Sequence, residues 1–100
     1  MNEEKVIGYI GDYRIHDSSI KAIVSDEDTI QVSLITEDNE MISAKFVGVK
    51  SVESNKAEGM IIYSIVEKEE KSHFRKFVFV NWDEEDDASL EVIAQDCIIK

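Results

Sequence analysis

The chain has 100 residues, of which 43% are hydrophobic and 33% charged, and this balance argues against intrinsic disorder. Its length leaves room for one domain over residues 1–100 and argues against a second independent core. The 22 acidic side chains outnumber the 11 lysines and arginines and give a net charge of −11. Nucleic acid and anionic membranes are therefore disfavoured as partners, because both are bound by clustered cations.

The single cysteine, Cys97, excludes an internal disulfide framework and a multi-cysteine zinc site. No apolar run approaches the roughly 20 residues that cross a bilayer. The run from Val6 to Gly11 is also shorter than the core of a signal peptide. We therefore expect a cytoplasmic protein that carries a free, buried thiol and needs no cofactor.

Hydrophobic periodicity predicts about six strands. The clearest is Thr29–Thr36, where Ile30, Val32 and Leu34 share one face. The other predicted strands are Ser19–Ser25, Met41–Lys50, Met60–Val66, His73–Trp82 and residues 88–99. Their short polar connections favour antiparallel pairing, because parallel strands need crossovers of about a dozen residues or more. The sequence thus predicts an all-β fold, an antiparallel meander closed as a barrel or a sandwich.

The last of these segments also fits an alternative α+β fold with a C-terminal helix. Helical spacing is shown by Leu90, Ile93, Ala94, Cys97 and Ile98. β-Branched residues are frequent in the same segment, and pairing it with the sheet would remove an exposed edge. We therefore favour a strand over residues 88–99.

Two further positions carry local predictions. Gly48, inside the Met41–Lys50 strand, indicates a bulge or a close approach of backbone segments. The charged stretch Glu67–Ser72 is typical of an exposed hairpin tip. Charged tips of this kind oppose aggregation between sheets.

The segment Tyr13–Ile20 contains the residue types of a hydrolytic site, namely a histidine, a carboxylate and two hydroxyls. Neighbouring side chains on a strand point to opposite faces, and no Gly-x-Ser-x-Gly turn accompanies the segment. We therefore interpret His16, Asp17 and Ser18 as a structural turn in which short polar side chains bond nearby groups. The alternative is a small hydrolase or metal-dependent enzyme that uses His16 and Asp17.

The pattern aromatic-x-Ile-His-Asp-Ser-x-Ile over residues 13–20 resembles the opening of small bacterial β-rich proteins. Gly11-Asp12 before it and Phe46-Val47-Gly48-Val49 after it also fit. Some members of that group look like immunity proteins encoded beside polymorphic toxins. The resemblance implies a small β-rich binding protein, and it brings no catalytic residues to this chain.

The acidic loop, defined here as residues 83–87, follows Trp82 at the end of a predicted strand. Its five carboxylates lack the spacing of a calcium-binding EF-hand loop, so we predict no metal site. Tryptophan is enriched among residues that dominate protein interfaces. We predict a non-enzymatic interaction module that binds a basic partner protein and leave its oligomeric state open. The expected contact patch consists of Trp82, Asp83, Glu84, Glu85, Asp86 and Asp87.

Overall fold

The computed structural model describes residues 6–71 and 73–100, which form nine β-strands and one short 3₁₀ turn. The strands are β1 (Val6–Ile10), β2 (Ser19–Asp26), β3 (Thr29–Ile35), β4 (Met41–Val47), β5 (Ser51–Asn55), β6 (Ile62–Lys68), β7 (Arg75–Asn81), β8 (Ser89–Ala94) and β9 (Asp96–Ile99). Among these residues no helix is long and apolar enough to cross a membrane. The predicted all-β class is confirmed, and the segment expected over residues 88–99 is strand rather than helix.

The strands form two antiparallel sheets. The five-stranded sheet has the order β1-β6-β7-β8-β5, and the four-stranded sheet has the order β2-β3-β4-β9. The prediction of about six strands in a single meander is wrong for the described residues. Although β2-β3-β4 and β6-β7-β8 are meanders, β1 pairs with β6, β5 with β8 and β9 with β4.

The chain passes from one sheet to the other at two connections that lie side by side. The chain runs from β4 into β5 through Gly48 and from β8 into β9 through Gln95. Gln95 donates its backbone N–H to the carbonyls of Val47 and Gly48. Gly48 has a φ of +64°, and a Cβ there would lie 2.5 Å from Gln95 Oε1. The close approach indicated by Gly48 is therefore present. The neighbouring connection, at Gln95, divides the segment predicted over residues 88–99 into β8 and β9.

Both sheets contribute side chains to one hydrophobic cluster. Alternation places Ile30, Val32 and Leu34 of β3 in it, as the sequence predicts. Phe46 of the four-stranded sheet meets Phe77 of the five-stranded sheet with ring centroids 5.0 Å apart. This contact joins the inner faces of the two sheets.

The hairpin-tip prediction for Glu67–Ser72 is partly wrong. Glu67 lies within β6 and is 9% exposed, while Ser72 lies outside the described residues. Arg75 donates to both Glu67 carboxylate oxygens at 2.8 Å, and it also bonds Asp96 Oδ1 at 2.8 Å. This two-point pairing lets a carboxylate lie against the end of the core, where charge would otherwise be costly.

Candidate functional site

Trp82 begins the connection between β7 and β8, and its side chain is 59% exposed. Its backbone N–H donates to the carbonyl of Ile61 at 3.0 Å, which fixes the start of the connection against the chain entering β6. A surface depression of about 280 Å³ lies beside the indole, lined by Gly59, Met60, Ile61, Asn81, Trp82, Asp83 and Asp86. Trp82 is therefore an exposed aromatic side chain on a backbone that is held in place.

Asn81 organises the acidic loop that follows. Its side-chain amide donates to Asp86 Oδ2 and to the Ala88 carbonyl, both at 3.1 Å. Its Oδ1 accepts the N–H of Asp83 at 2.8 Å, and Asp83 Oδ1 accepts the N–H of Glu85 at 3.0 Å. The hydrogen bond from Asn81 lowers the pKa of the Asp86 carboxyl below its ordinary value.

The far end of the acidic loop is attached to the end of β5. Asn55 donates its side-chain amide to the Asp87 carbonyl at 2.9 Å, and Lys56 Nζ lies 3.2 Å from Asp87 Oδ2. All five loop residues are exposed. Residues 82–87 were predicted from the sequence as a contact patch. In the structure they form one hydrogen-bonded segment in which the carboxylates lie beside the indole.

Groups of three or more His, Cys, Asp or Glu side chains that could hold a metal ion are absent from the described ranges. Within the loop, the carboxylates of Asp83 and Asp86 are engaged with backbone and amide N–H groups. Such bonds shape the loop rather than gather oxygens around one point.

The second predicted motif forms a turn between β1 and β2. A single 3₁₀ turn spans Tyr13–Ile15, and Asp12 caps it by accepting the N–H of Arg14 at 2.9 Å. The buried Ser18 donates its hydroxyl to the Ile15 carbonyl at 2.6 Å. Asp17 has a φ of +67°, a left-handed conformation that aspartate adopts more readily than most residues.

His16 attaches this turn to β6. Its Nδ1 lies 2.9 Å from the Tyr63 carbonyl, and the two rings meet edge to face with centroids 4.8 Å apart. Because a carbonyl only accepts, Nδ1 carries the proton in this bond. Tyr63 is the bulged residue where the β6–β7 register shifts. The histidine therefore bonds a distant strand, and the prediction of a hydrogen bond within the turn is wrong for its Nδ1.

The surroundings of His16 differ from those of a hydrolytic histidine. In a Ser-His-Asp triad the carboxylate binds Nδ1 and the nucleophile faces Nε2. Here Nδ1 binds a backbone carbonyl, and Asp17 Oδ2 lies 3.6 Å from Nε2. The Ser18 hydroxyl is directed to Ile15. The arrangement of these residues holds a turn in place and brings no hydroxyl to the imidazole.

We expect His16→Ala to lower the free energy of unfolding by about 1 kcal/mol, the net value of one hydrogen bond. The loss arises because the carbonyl of the bulged Tyr63 loses its side-chain partner. Urea denaturation followed by far-ultraviolet circular dichroism measures the change. His73→Ala is the matched control, because His73 is also exposed. Equal stability of His16→Ala and the wild type would contradict the anchoring role.

Cys97 is half-buried at the junction of β4 and β9. Burial raises the pKa of its thiol to about 12, although the nearby Arg75 guanidinium opposes the shift. A thiol with this pKa is protonated at neutral pH and is a poor nucleophile.

Sequence reasoning missed a group of aromatic residues around His16. Tyr9 of β1, Tyr13 of the 3₁₀ turn and Tyr63 of β6 line one groove with the histidine. Tyr63 lies 50 residues after Tyr13 in the chain, so no local sequence spacing links the three tyrosines. In the sequence, Tyr9 belongs to an apolar run, Tyr13 to the motif over residues 13–20 and Tyr63 to a predicted strand, and nothing there joins the three.

Comparison of the chain with known protein families, curated proteins and solved structures finds no match.

Proposed function

We propose that this chain is a non-enzymatic interaction module that binds a basic partner protein through Trp82 and the acidic loop. The single observation that carries the proposal is an indole 59% exposed at the edge of an ordered run of five carboxylates. An exposed tryptophan can serve as an apolar anchor at an interface.

The charge of the chain supports the same kind of partner. With a net charge of −11, the protein accelerates its encounter with a positively charged surface, and added salt screens that attraction. Bonds from Asn81 and Asn55 hold the loop before binding. Less conformational entropy is then lost on association than with a disordered acidic segment.

Within this class we propose an immunity-type inhibitor that binds a basic, nuclease-like toxin. The resemblance of residues 13–20 to such proteins and the acidic surface support this narrower function. The gene immediately upstream then encodes the toxin, and co-expression of this chain restores growth of cells that produce it. A non-toxic neighbour, or toxicity that this chain leaves unchanged, would contradict the immunity role.

Binding to the purified partner tests the contact patch. We expect Trp82→Ala to raise the Kd about 30-fold, equivalent to about 2 kcal/mol for a residue that dominates an interface. Glu84→Gln/Glu85→Gln should lower the association rate at low salt, and the difference should shrink at about 0.5 M NaCl. Stopped-flow fluorescence and calorimetry measure the two quantities.

The control for the loop variant is Glu27→Gln/Glu69→Gln, which changes the net charge equally at exposed positions elsewhere. A control as slow to associate as the loop variant would show that total charge, rather than this patch, governs the encounter. A Kd unaffected by Trp82→Ala would remove Trp82 from the interface.

A further inference from the structure

A groove of about 310 Å³ lies where β1, the 3₁₀ turn and the start of β6 meet. All three tyrosines of the chain line it, with Tyr9 71%, Tyr13 86% and Tyr63 51% exposed. We call it the tyrosine groove; its other lining residues are Ile10, Gly11, Asp12, Ile15, His16 and Ser64. Exposed tyrosines on three separate elements thus face one space.

Backbone features of the two walls create this convergence. Gly11 has a φ of +84°, and a Cβ there would lie only 2.7 Å from Cγ1 of the buried Ile15. Glycine therefore lets the chain turn closely after β1. On the opposite wall, Tyr63 occupies the bulge of β6, and His16 bonds its carbonyl.

The charges around the tyrosine groove favour a cationic ligand. Its lining includes the carboxylate of Asp12 and, among residues 6–71 and 73–100, contains no lysine or arginine. Arg14 lies outside the lining and offsets Asp12 through bonds at 3.0 to 3.3 Å. Asp17 adds a carboxylate beside His16, and the faces of tyrosine rings attract cations.

The exposed tyrosine rings favour one kind of cationic side chain. A guanidinium supplies five N–H donors and a flat face that stacks on aromatic rings, whereas a lysine ammonium is compact and strongly hydrated. The exposed rings therefore match arginine better than lysine.

The depression beside Trp82 and the tyrosine groove are lined by nearby residues of one segment, Ile61 in the first and Tyr63 in the second. Ile61, which is 52% exposed, lies two residues before Tyr63, and its carbonyl accepts the N–H of Trp82. One partner surface can cover both the groove and the depression.

We propose that the tyrosine groove binds an arginine side chain presented by the basic partner protein. The proposal rests on the proposed function, because it names the side chain by which the same partner is recognised. The arginine stacks on the tyrosine rings, while the acidic loop contacts other cations of the partner.

A titration with short peptides tests the groove without the partner. The probe is acetyl-Gly-Arg-Gly-amide, and the control is the same peptide with citrulline, which keeps the shape but lacks the charge. Amide resonances of the ¹⁵N-labelled protein report binding. We expect the arginine peptide to shift Gly11, Tyr13, His16 and Ser64, and the citrulline peptide to bind about fivefold more weakly or not at all.

Variants at the exposed tyrosines supply the second arm. Tyr9→Ala/Tyr13→Ala should weaken the arginine peptide by about fivefold to tenfold, since two ring contacts are lost. Tyr9→Phe/Tyr13→Phe should bind as the wild type does, because the rings remain. Folding of each variant is checked from its dispersed amide spectrum.

The outcomes separate this proposal from the proposed function. Shifts confined to residues 82–87 would overturn the groove and leave the acidic patch intact as a cation-binding surface. Equal shifts with arginine and citrulline, or equal binding by the alanine and phenylalanine variants, would also overturn it. Groove shifts together with an upstream gene product that does not bind would retain the arginine site and refute the immunity role.

Discussion

Phe46→Ala is expected to lower the free energy of unfolding by about 3–5 kcal/mol, the usual cost of deleting a buried aromatic side chain. Phe46 is fully buried, and its ring lies 5.0 Å from that of Phe77 and 5.9 Å from that of Phe79. Both partners belong to β7 of the other sheet. The substitution therefore opens a cavity between the sheets and removes two aromatic contacts at once.

The midpoint of urea denaturation measures this loss. Since small domains are stable by about 5–15 kcal/mol, the variant should unfold at a markedly lower urea concentration. Phe46→Leu keeps most of the volume and should remain folded if Phe46→Ala does not. Val24→Ala, at a side chain 59% exposed, is the control and should change the stability by less than about 0.5 kcal/mol. A midpoint for Phe46→Ala close to that of Val24→Ala would contradict a shared core.

Glu67→Gln is expected to lower the free energy of unfolding by about 1–3 kcal/mol at pH 7, less than for a fully buried pair because Arg75 retains Asp96 and is partly exposed. The neutral amide cannot accept both N–H groups that Arg75 donates to the carboxylate. Glu91→Gln is the matched control, because Glu91 also pairs with a cation, Lys76, but its side chain is 36% exposed whereas that of Glu67 is 12% exposed. Its effect should stay below about 1 kcal/mol.

The same pair makes stability depend on pH. The Arg75 hydrogen bonds lower the pKa of Glu67 below its ordinary value of 4.5, although burial and Asp96 oppose the shift. The folded state therefore binds the proton more weakly than the unfolded state. The stabilisation is complete above about pH 4.5 and is lost as the pH falls through the lower folded-state pKa.

Denaturation of the two proteins between about pH 3 and 7 measures this dependence. The wild type should lose more stability on acidification than Glu67→Gln does, by up to about 1.4 kcal/mol per pH unit. Parallel curves for wild type and variant would show that Glu67 does not carry the dependence.

The periodicity of the sequence located most of the sheet. Alternation at Ile30, Val32 and Leu34 identified β3 and its inner face, because a strand buried on one side must repeat every two residues. β1 and β5 were not predicted. β5 (Ser51–Asn55) has no buried residue, so burial imposed no pattern on its sequence.

Pairing between strands far apart in the chain was also not predicted from the sequence. β1 pairs with β6 across more than 50 residues, and no local spacing encodes that contact. Glu67 shows the same limit: in sequence it belongs to a charged run, while in the fold it faces Arg75 and the core. Its environment depends on a neighbour brought to it by the β6–β7 hairpin.

One part of the candidate surface was also predictable from the sequence, and another part was not. Trp82 and the carboxylates of residues 83–87 are adjacent in the chain, so the sequence alone identified them as a unit. The tyrosine groove required the tertiary structure, because its rings come from β1, the 3₁₀ turn and β6.

What the sequence by itself determined was the all-β class, the inner faces of the alternating strands and the acidic character of the surface, since each depends on composition or on a period of two residues. Only the tertiary structure decided the division into two sheets, the pairing of Glu67 with Arg75 and the meeting of three tyrosines beside His16. Those features depend on strand partners far apart in the chain, which side-chain periodicity does not specify.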